Sequence, residues 1–304
     1  MAVGRCNMKK VLLTGGSGFI GAPTARQLAM RGYDVVAQCR RMDFKLGGIR
    51  VRRVELLDRA AVDALIDEEK PDMLVHLAWI ATPGVYQQSL ENLAWARESL
   101  YLLERFAQSG GKRAVMVGTC FEYDLSFGFL REDATLEKPD TLYGAAKLSF
   151  SILARAYAER FGLSLACARL FYLFGEREHP ARAVPYAILS GLRGEPMICR
   201  SHGAIRDYMS ENMAAAALCD VLESDVRGVI NISSGEGLSI RDIFTHVAEK
   251  LGRTDLLVFG NEPAIPAAVI GDAHKLHSEV GFVPDENWRT GIDRCIDWWK
   301  TAEG

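Results

Sequence analysis

Val11-Leu12-Leu13-Thr14-Gly15-Gly16-Ser17-Gly18-Phe19-Ile20-Gly21 is the stretch that decides the fold. Three apolar residues make a short strand, and Gly15, Gly18 and Gly21 follow at three-residue spacing. A helical pattern begins at once, with Ala22, Ala25, Leu28 and Ala29 on one face. Free backbone N–H groups at that helix start, with the helix dipole, favour an anion. Glycines let a pyrophosphate approach backbone that a Cβ would block. An ordinary strand-to-helix turn rich in small residues could use the same glycines. The strand before and the helix after supply the context that a dinucleotide site requires.

Working outward, the chain of 304 residues suits one large domain or two closely joined ones. It is 49% hydrophobic and 25% charged, with a formal net charge of −3, which is ordinary for a globular protein and gives no nucleic-acid surface. Arg50, Arg52 and Arg53 form the densest basic cluster and read as a solvated strand face. No apolar run approaches the roughly 18 residues of a membrane span. Residues 1–10 lack the apolar core of a signal peptide, so a cytoplasmic protein without membrane contact is expected. The seven cysteines contain no Cys-x-x-Cys pair and read as reduced, buried small hydrophobes. The six histidines show no ligand spacing, so no metal is expected.

A second strand spans residues 33–38 and ends in Cys39-Arg40-Arg41. An acid at this end would accept hydrogen bonds from the 2′-OH of NAD, whereas arginine accommodates the 2′-phosphate of NADP. No acid stands at Cys39 and two cations follow, so NADP is preferred over NAD, with Arg40 and Arg41 on the phosphate. Residues 53–57 read as a third strand, with a helix opening at Asp58. Residues 73–78 form a continuous apolar fourth strand, residues 88–109 a long helix, and residues 113–118 a fifth strand. This alternation predicts an α/β fold: a Rossmann-type doubly wound parallel sheet.

Thr119 stands at the carboxyl end of the fifth strand, where such sheets bind ligands. Tyr143-Gly144-Ala145-Ala146-Lys147 then opens a helix, and Tyr143 and Lys147, four apart, share one face. A nearby ammonium would lower the tyrosine pKa from roughly 10 towards neutrality, allowing proton exchange with a substrate oxygen. Thr119 would hold that oxygen.

With these three features in order, the sequence resembles the extended short-chain dehydrogenase/reductase family of nucleotide-sugar epimerases, dehydratases and 4-ketoreductases. The matching pieces run along nearly the whole chain: residues 14–21, 76–78, 118–119, 143–147, 169–175, 206–208 and 231–235, then Gly281 with Pro284. The resemblance implies that Thr119, Tyr143 and Lys147 are catalytic and that Lys147 also bonds the nicotinamide ribose. It implies that Gly15, Ser17, Gly18, Phe19, Ile20 and Gly21 line the pyrophosphate turn. Ala78 and Tyr172 would lie near the cofactor, and Glu55 and Leu56 near the adenine. It places Phe121, Tyr172, His179, Arg182 and Arg206 with Thr119 on the substrate, Arg206 on the diphosphate.

Tyr172 replaces an asparagine that many members use on the sugar. Cys120 and Phe121 stand where family dehydratases place acids. Glu122, one residue further, would point to the other face in a strand-like stretch. The resemblance also implies a dinucleotide-binding domain of residues 1–172 and 206–235. A smaller C-terminal domain of residues 173–205 and 236–304 would bind the nucleotide-linked sugar. Later residues support helices over 184–192, 240–251, where Ser239 suits the N-cap, and 288–299. A homodimer is implied through the helix over 88–109 and the one opened by Tyr143, with Leu93, Leu100, Ile152 and Tyr157 on that face.

The expected function is NADPH-dependent reduction of a 4-keto nucleotide sugar. The alternatives are an NAD-dependent UDP-sugar epimerase and, from another class, a non-catalytic NADP-sensing module. Retention of Thr119, Tyr143 and Lys147 speaks against the last.

Overall fold

The computed structural model describes residues 8–40 and 43–303. Its strands are β1 Lys10–Thr14, β2 Asp34–Cys39, β3 Arg50–Arg53, β4 Met73–His76, β5 Arg113–Thr119, β6 Phe129–Leu130, β7 Ser164–Leu170 and β8 Tyr172–Phe174. β9 Met197–Cys199, β10 Ile205–Arg206, β11 Tyr208–Ser210, β12 Gly228–Ile232, β13 Leu238–Ser239, β14 Leu257–Phe259 and β15 Ala268–Gly271 complete them. The helices are α1 Gly21–Met30, α2 Arg59–Glu69, α3 Glu91–Gln108, α4 Leu142–Phe161, α5 Ala183–Arg193, α6 Glu211–Glu223, α7 Ile240–Leu251, α8 His274–Ser278 and α9 Trp288–Glu303.

Seven strands form a parallel sheet in the order β12-β7-β5-β4-β1-β2-β3. The order reverses between β1 and β4, the switch point at which doubly wound sheets bind ligands. β1, β4 and β5 are buried almost throughout because helices cover both faces. Leu28 of α1 and Leu218 of α6 pack on one face. Leu65 of α2, Phe106 of α3 and Phe150 of α4 pack on the other. A third cluster joins α5, α7 and α9 through Ile188, Val247 and Ile296. Short sheets, β13-β10-β15-β6, β11-β8 and β14-β9, surround it and the mouth of the large sheet.

Local chemistry sets the helix starts. Asp58 caps α2 through the Ala60 amide at 3.0 Å, Thr141 caps α4 through Gly144 at 3.1 Å, and Ser239 caps α7 through Asp242 at 3.0 Å. α7 therefore starts where the sequence places it. The third strand does not. It is Arg50–Arg53, and residues 54–57 are irregular. The basic cluster is therefore on a strand, as its reading as a strand face expects, and Arg50 and Arg52 reach the buried Glu69 of α2 from the sheet edge. α3 begins three residues later than the periodicity suggests, since Ser89 and Leu90 still belong to a turn.

Glu122 departs furthest from expectation. Residues 120–122 form a 3-10 turn rather than a strand, and Glu122 is fully buried. Its Oε1 accepts the Thr119 amide at 2.9 Å, and its Oε2 accepts Arg169 Nε at 2.8 Å. The guanidinium, also fully buried, lies 4.2 Å from the Tyr123 ring and pairs with Glu137. Gly118 makes room: a Cβ there would lie 2.3 Å from Glu122 Oε1. Removing one partner of such a pair leaves an uncompensated buried charge. Glu122→Gln and Arg169→Met are each expected to cost about 3–5 kcal/mol, and the double variant less than their sum. Urea unfolding of the four proteins checks this, and additive losses would show the two groups to be uncoupled.

Candidate active site

One cavity of about 780 Å³ opens over the switch point. Its inner wall is the glycine turn, with Gly15, Ser17, Gly18, Phe19, Ile20 and Gly21 all lining it. Gly15 has φ +72°, and a Cβ there would lie 3.0 Å from the Ala78 amide nitrogen. A Cβ on Gly21 would lie 2.0 Å from the Gly15 carbonyl. Only glycine fits either position. α1 begins at Gly21 with no side-chain cap, unlike α2, α4, α6 and α7. An uncapped helix N-terminus beside a glycine cradle in a cavity of this size fits a dinucleotide pyrophosphate.

The turn is anchored from beneath. Thr14 Oγ1 accepts the Leu77 and Ala78 amides at 3.1 and 3.2 Å and bonds His76 Nδ1 at 2.8 Å. His76 Nε2 reaches Ser99 Oγ of α3 at 2.8 Å. Burial, with Lys147 nearby, pushes His76 down to about 3, so the ring is neutral. At the cavity's outer end stands Arg40, exposed, with its guanidinium 5.9 Å from the Trp95 ring. Arg41 lies outside the described residues. Glu55 and Leu56 do not line the cavity. Glu55 is exposed and accepts the Leu57 amide at 3.2 Å, while Leu56 is buried in the core.

Thr119, Tyr143 and Lys147 meet on one wall. The Thr119 hydroxyl accepts the Phe121 amide at 3.3 Å, and the Tyr86 ring meets the Tyr143 ring edge-on at 4.9 Å. Lys147 is buried; its Nζ donates to the Val117 carbonyl at 2.7 Å and sits 3.9 Å over the Trp79 ring. Its expected effect on Tyr143 is not what this arrangement delivers. Burial pushes the phenol well above its ordinary value, and Thr119 only partly offsets it. The ammonium is turned to a carbonyl and an indole face, and burial lowers its own pKa as well. Tyr143 is therefore held as a neutral phenol.

Among the expected substrate residues, Phe121, Tyr172, His179 and Arg182 line the cavity. Phe121 and Tyr172 stand 6.3 Å apart, ring to ring. Arg206 does not line it. Its guanidinium donates to the Ile205 carbonyl at 2.8 Å and lies 5.5 Å from the Tyr172 ring, behind the wall. The adjacent Asp207 turns inward and accepts Ser234, Gly235 and Gly271 amides at 2.7, 3.0 and 3.1 Å, which holds the β10 backbone in place.

Among the wall residues that sequence reasoning missed, three stand out. Trp79 and Tyr86 follow β4, and Asn92 ties them together by accepting Trp79 Nε1 at 2.8 Å and donating to the Tyr86 carbonyl at 2.6 Å. Aromatics in the loop after a central strand were the available signal. The third is Glu178. The stretch around it reads as too charged for core, yet Glu178 is only 9% exposed. Among the described residues, no group of three or more His, Cys, Asp or Glu side chains is arranged to hold a metal, and no helix is long and apolar enough to cross a membrane.

Comparisons with known proteins give the family. Residues 11–233 match the model of the NAD dependent epimerase/dehydratase family. The dTDP-glucose 4,6-dehydratase of Neisseria meningitidis is 25% identical over 96% of this chain and 93% of its own. The UDP-glucose 4-epimerase of Thermus thermophilus, solved with NAD, is 26% identical with a TM-score of 0.83, covering 96% of this chain and 99% of the other. MoeE5, solved with UDP-glucuronic acid and NAD, is 28% identical with a TM-score of 0.84 over the same shares. A family match across most of the chain and a shared fold along its whole length agree with the uncapped glycine turn. The chain belongs to the NAD dependent epimerase/dehydratase family, enzymes of the extended short-chain dehydrogenase/reductase type.

Proposed function

We propose that the protein reduces a 4-keto nucleotide sugar with NADPH and that Tyr143 is the proton donor. The observation that carries this reading is the buried Tyr143 phenol sharing one cavity wall with Thr119 and Lys147. A reductase starts with a protonated acid, whereas an epimerase or dehydratase starts by removing a proton. NADPH, when bound, supplies the hydride that adds to C4. Tyr143 gives its proton to the carbonyl oxygen, so ketone becomes alcohol, and the tyrosinate is reprotonated from solvent. Thr119 holds that oxygen. Lys147 would hold the nicotinamide ribose. Glu122 is consumed by Arg169 and the Thr119 amide, and Cys120 and Phe121 carry no acid, which disfavours a 4,6-dehydratase.

Arg40 at the cavity end, with Arg41 after it, supports NADPH over NADH. The second reading is an NAD-dependent UDP-sugar epimerase. The likeness to the Thermus thermophilus UDP-glucose 4-epimerase favours it. A cofactor-sensing module is disfavoured because the catalytic group types are all on the cavity wall.

The division into residues 1–172 with 206–235 and residues 173–205 with 236–304 is part of the proposal. Cytoplasmic location is too. So is a homodimer through α3 and α4. Leu93 and Ile152 are exposed there, Leu100 and Tyr157 are half-buried, and Leu90, Leu153 and Phe161 add exposed apolar surface.

Tyr143→Phe should lower kcat by about 10²–10⁴-fold while NADPH affinity changes little. Lys147→Met should lower both. A near wild-type rate for the phenylalanine variant on its substrate would remove Tyr143 as donor. Replacing Arg40 and Arg41 by alanine should weaken NADPH far more than NADH, and calorimetry showing equal losses would place the arginines elsewhere. Sedimentation at micromolar concentration should give a dimer, and Ile152→Glu with Leu93→Glu a monomer. A wild-type monomer would count against the interface.

A further inference from the structure

Among the described residues, Glu178 is the one buried acid on the cavity wall that the chemistry above does not use. It follows β8 in a loop whose neighbours His179 and Arg182 are exposed, yet it is itself only 9% exposed. Its Oε2 is fully buried and has no hydrogen-bond partner among the described residues. The titratable and charged groups facing it come from every element around it. Arg182 is on its own loop, Glu211 on α6, Tyr208 on β11 and Cys295 on α9. Arg294 of α9 bonds Glu211, Glu286 and Glu176.

An unpaired buried oxygen costs free energy unless something supplies its partner. Glu178 lines the cavity wall, so a turn of its carboxyl would present that oxygen to a ligand there. Burial pushes the carboxyl up to about 8, with Arg182 opposing and Glu211 reinforcing. Near pH 7 it is largely the neutral acid, offering one O–H donor and one acceptor. A sugar hydroxyl is the matching group, since it also donates and accepts. A phosphate offers only acceptors and negative charge, which suits the exposed Arg182 better than a carboxyl. The aromatic wall leads from Glu178 to the reacting centre. Tyr208 lies 5.6 Å from Tyr172, Tyr172 6.3 Å from Phe121, and Phe121 6.4 Å from Tyr143, ring to ring.

We propose that Glu178 is a substrate-recognition residue whose buried carboxyl hydrogen-bonds a hydroxyl of the nucleotide-linked sugar. The proposal rests on the nucleotide-sugar reading of the cavity. It assigns Glu178 to the sugar and not to the nucleotide or the cofactor, and it makes no use of reduction versus epimerisation.

The test is calorimetry on the full chain with bound NADPH, using UDP-glucose and dTDP-glucose as probes and UDP, dTDP and NADPH itself as controls. Glu178→Leu should weaken the better nucleotide sugar by about tenfold or more, the loss expected for an unpaired polar contact. It should leave the nucleoside diphosphates and NADPH unchanged. Glu178→Gln, which keeps a donor and an acceptor, should bind as wild type does. The leucine variant should also melt no lower than wild type, because it removes an unsatisfied buried group. If leucine does not fit, Glu178→Ala opens the same wall and must show the same split. Equal sugar binding by wild type and the leucine or alanine variant overturns the proposal alone; a bridging water would give that result. Equal loss of nucleotide sugar and nucleoside diphosphate overturns it too, since Glu178 would then serve the fold or the nucleotide. Failure of wild type to bind any of the nucleotide probes overturns both this proposal and the reading beneath it.

Discussion

The Glu122 carboxylate is the constraint around which the catalytic end of the sheet is arranged. One oxygen takes the Thr119 amide and the other takes Arg169, so β5, its 3-10 turn and β7 are tied at one buried point. Arg169 passes the tie on. Its guanidinium lies against Tyr123, whose hydroxyl donates to Asn231 of β12 at 2.9 Å, and Asn231 donates to the Leu130 carbonyl at 3.0 Å. A single network therefore spans three neighbouring strands and a flanking segment. Its members are buried, so each depends on its partners being present. The same network removes the acid next to Thr119 from solvent and from the cavity. This carboxylate serves geometry.

A second chain of contacts sets the cofactor end. Thr14, His76 and Ser99 join the glycine turn to α3 through the centre of the sheet. Neutral His76 bridges two hydroxyls without adding a charge beside Lys147. Lys147 needs that, because its ammonium is already buried against one carbonyl and one indole face. The turn is held from below while its upper face, the uncapped start of α1, stays open to the cavity. The α1 N-terminus lacks a side-chain cap and Glu178 Oε2 lacks a partner, and both residues' segments line the cavity.

Much of this was legible in the residues. The strand, glycine turn and helix of residues 11–21 carry their own geometry, because only glycine tolerates Cβ positions that close to backbone. Thr119, Tyr143 and Lys147 were legible because the end of β5 and the first turns of α4 are local features. What stayed hidden depends on partners distant in sequence. The side of the turn that Glu122 faces is decided by Arg169, 47 residues on. The electrostatics of Tyr143 depend on where Lys147 points, and Val117 and Trp79 draw it away. Arg206 matched a motif, but a side chain on a short edge strand found neighbouring carbonyls and Tyr172 first. Glu178 sits among charges in sequence and among buried residues in space, and periodicity carries no trace of that.

The central claim is that a neutral Tyr143 receives the carbonyl oxygen while C4 takes a hydride from NADPH. Incubating the protein with NADPH carrying deuterium at its transferable position and a 4-keto nucleotide sugar tests it most directly. The account predicts a 4-hydroxy product with deuterium at C4 alone and one NADPH oxidised per product formed. Unlabelled product, or interconversion of 4-hydroxy sugars with no net consumption of NADPH, would contradict it.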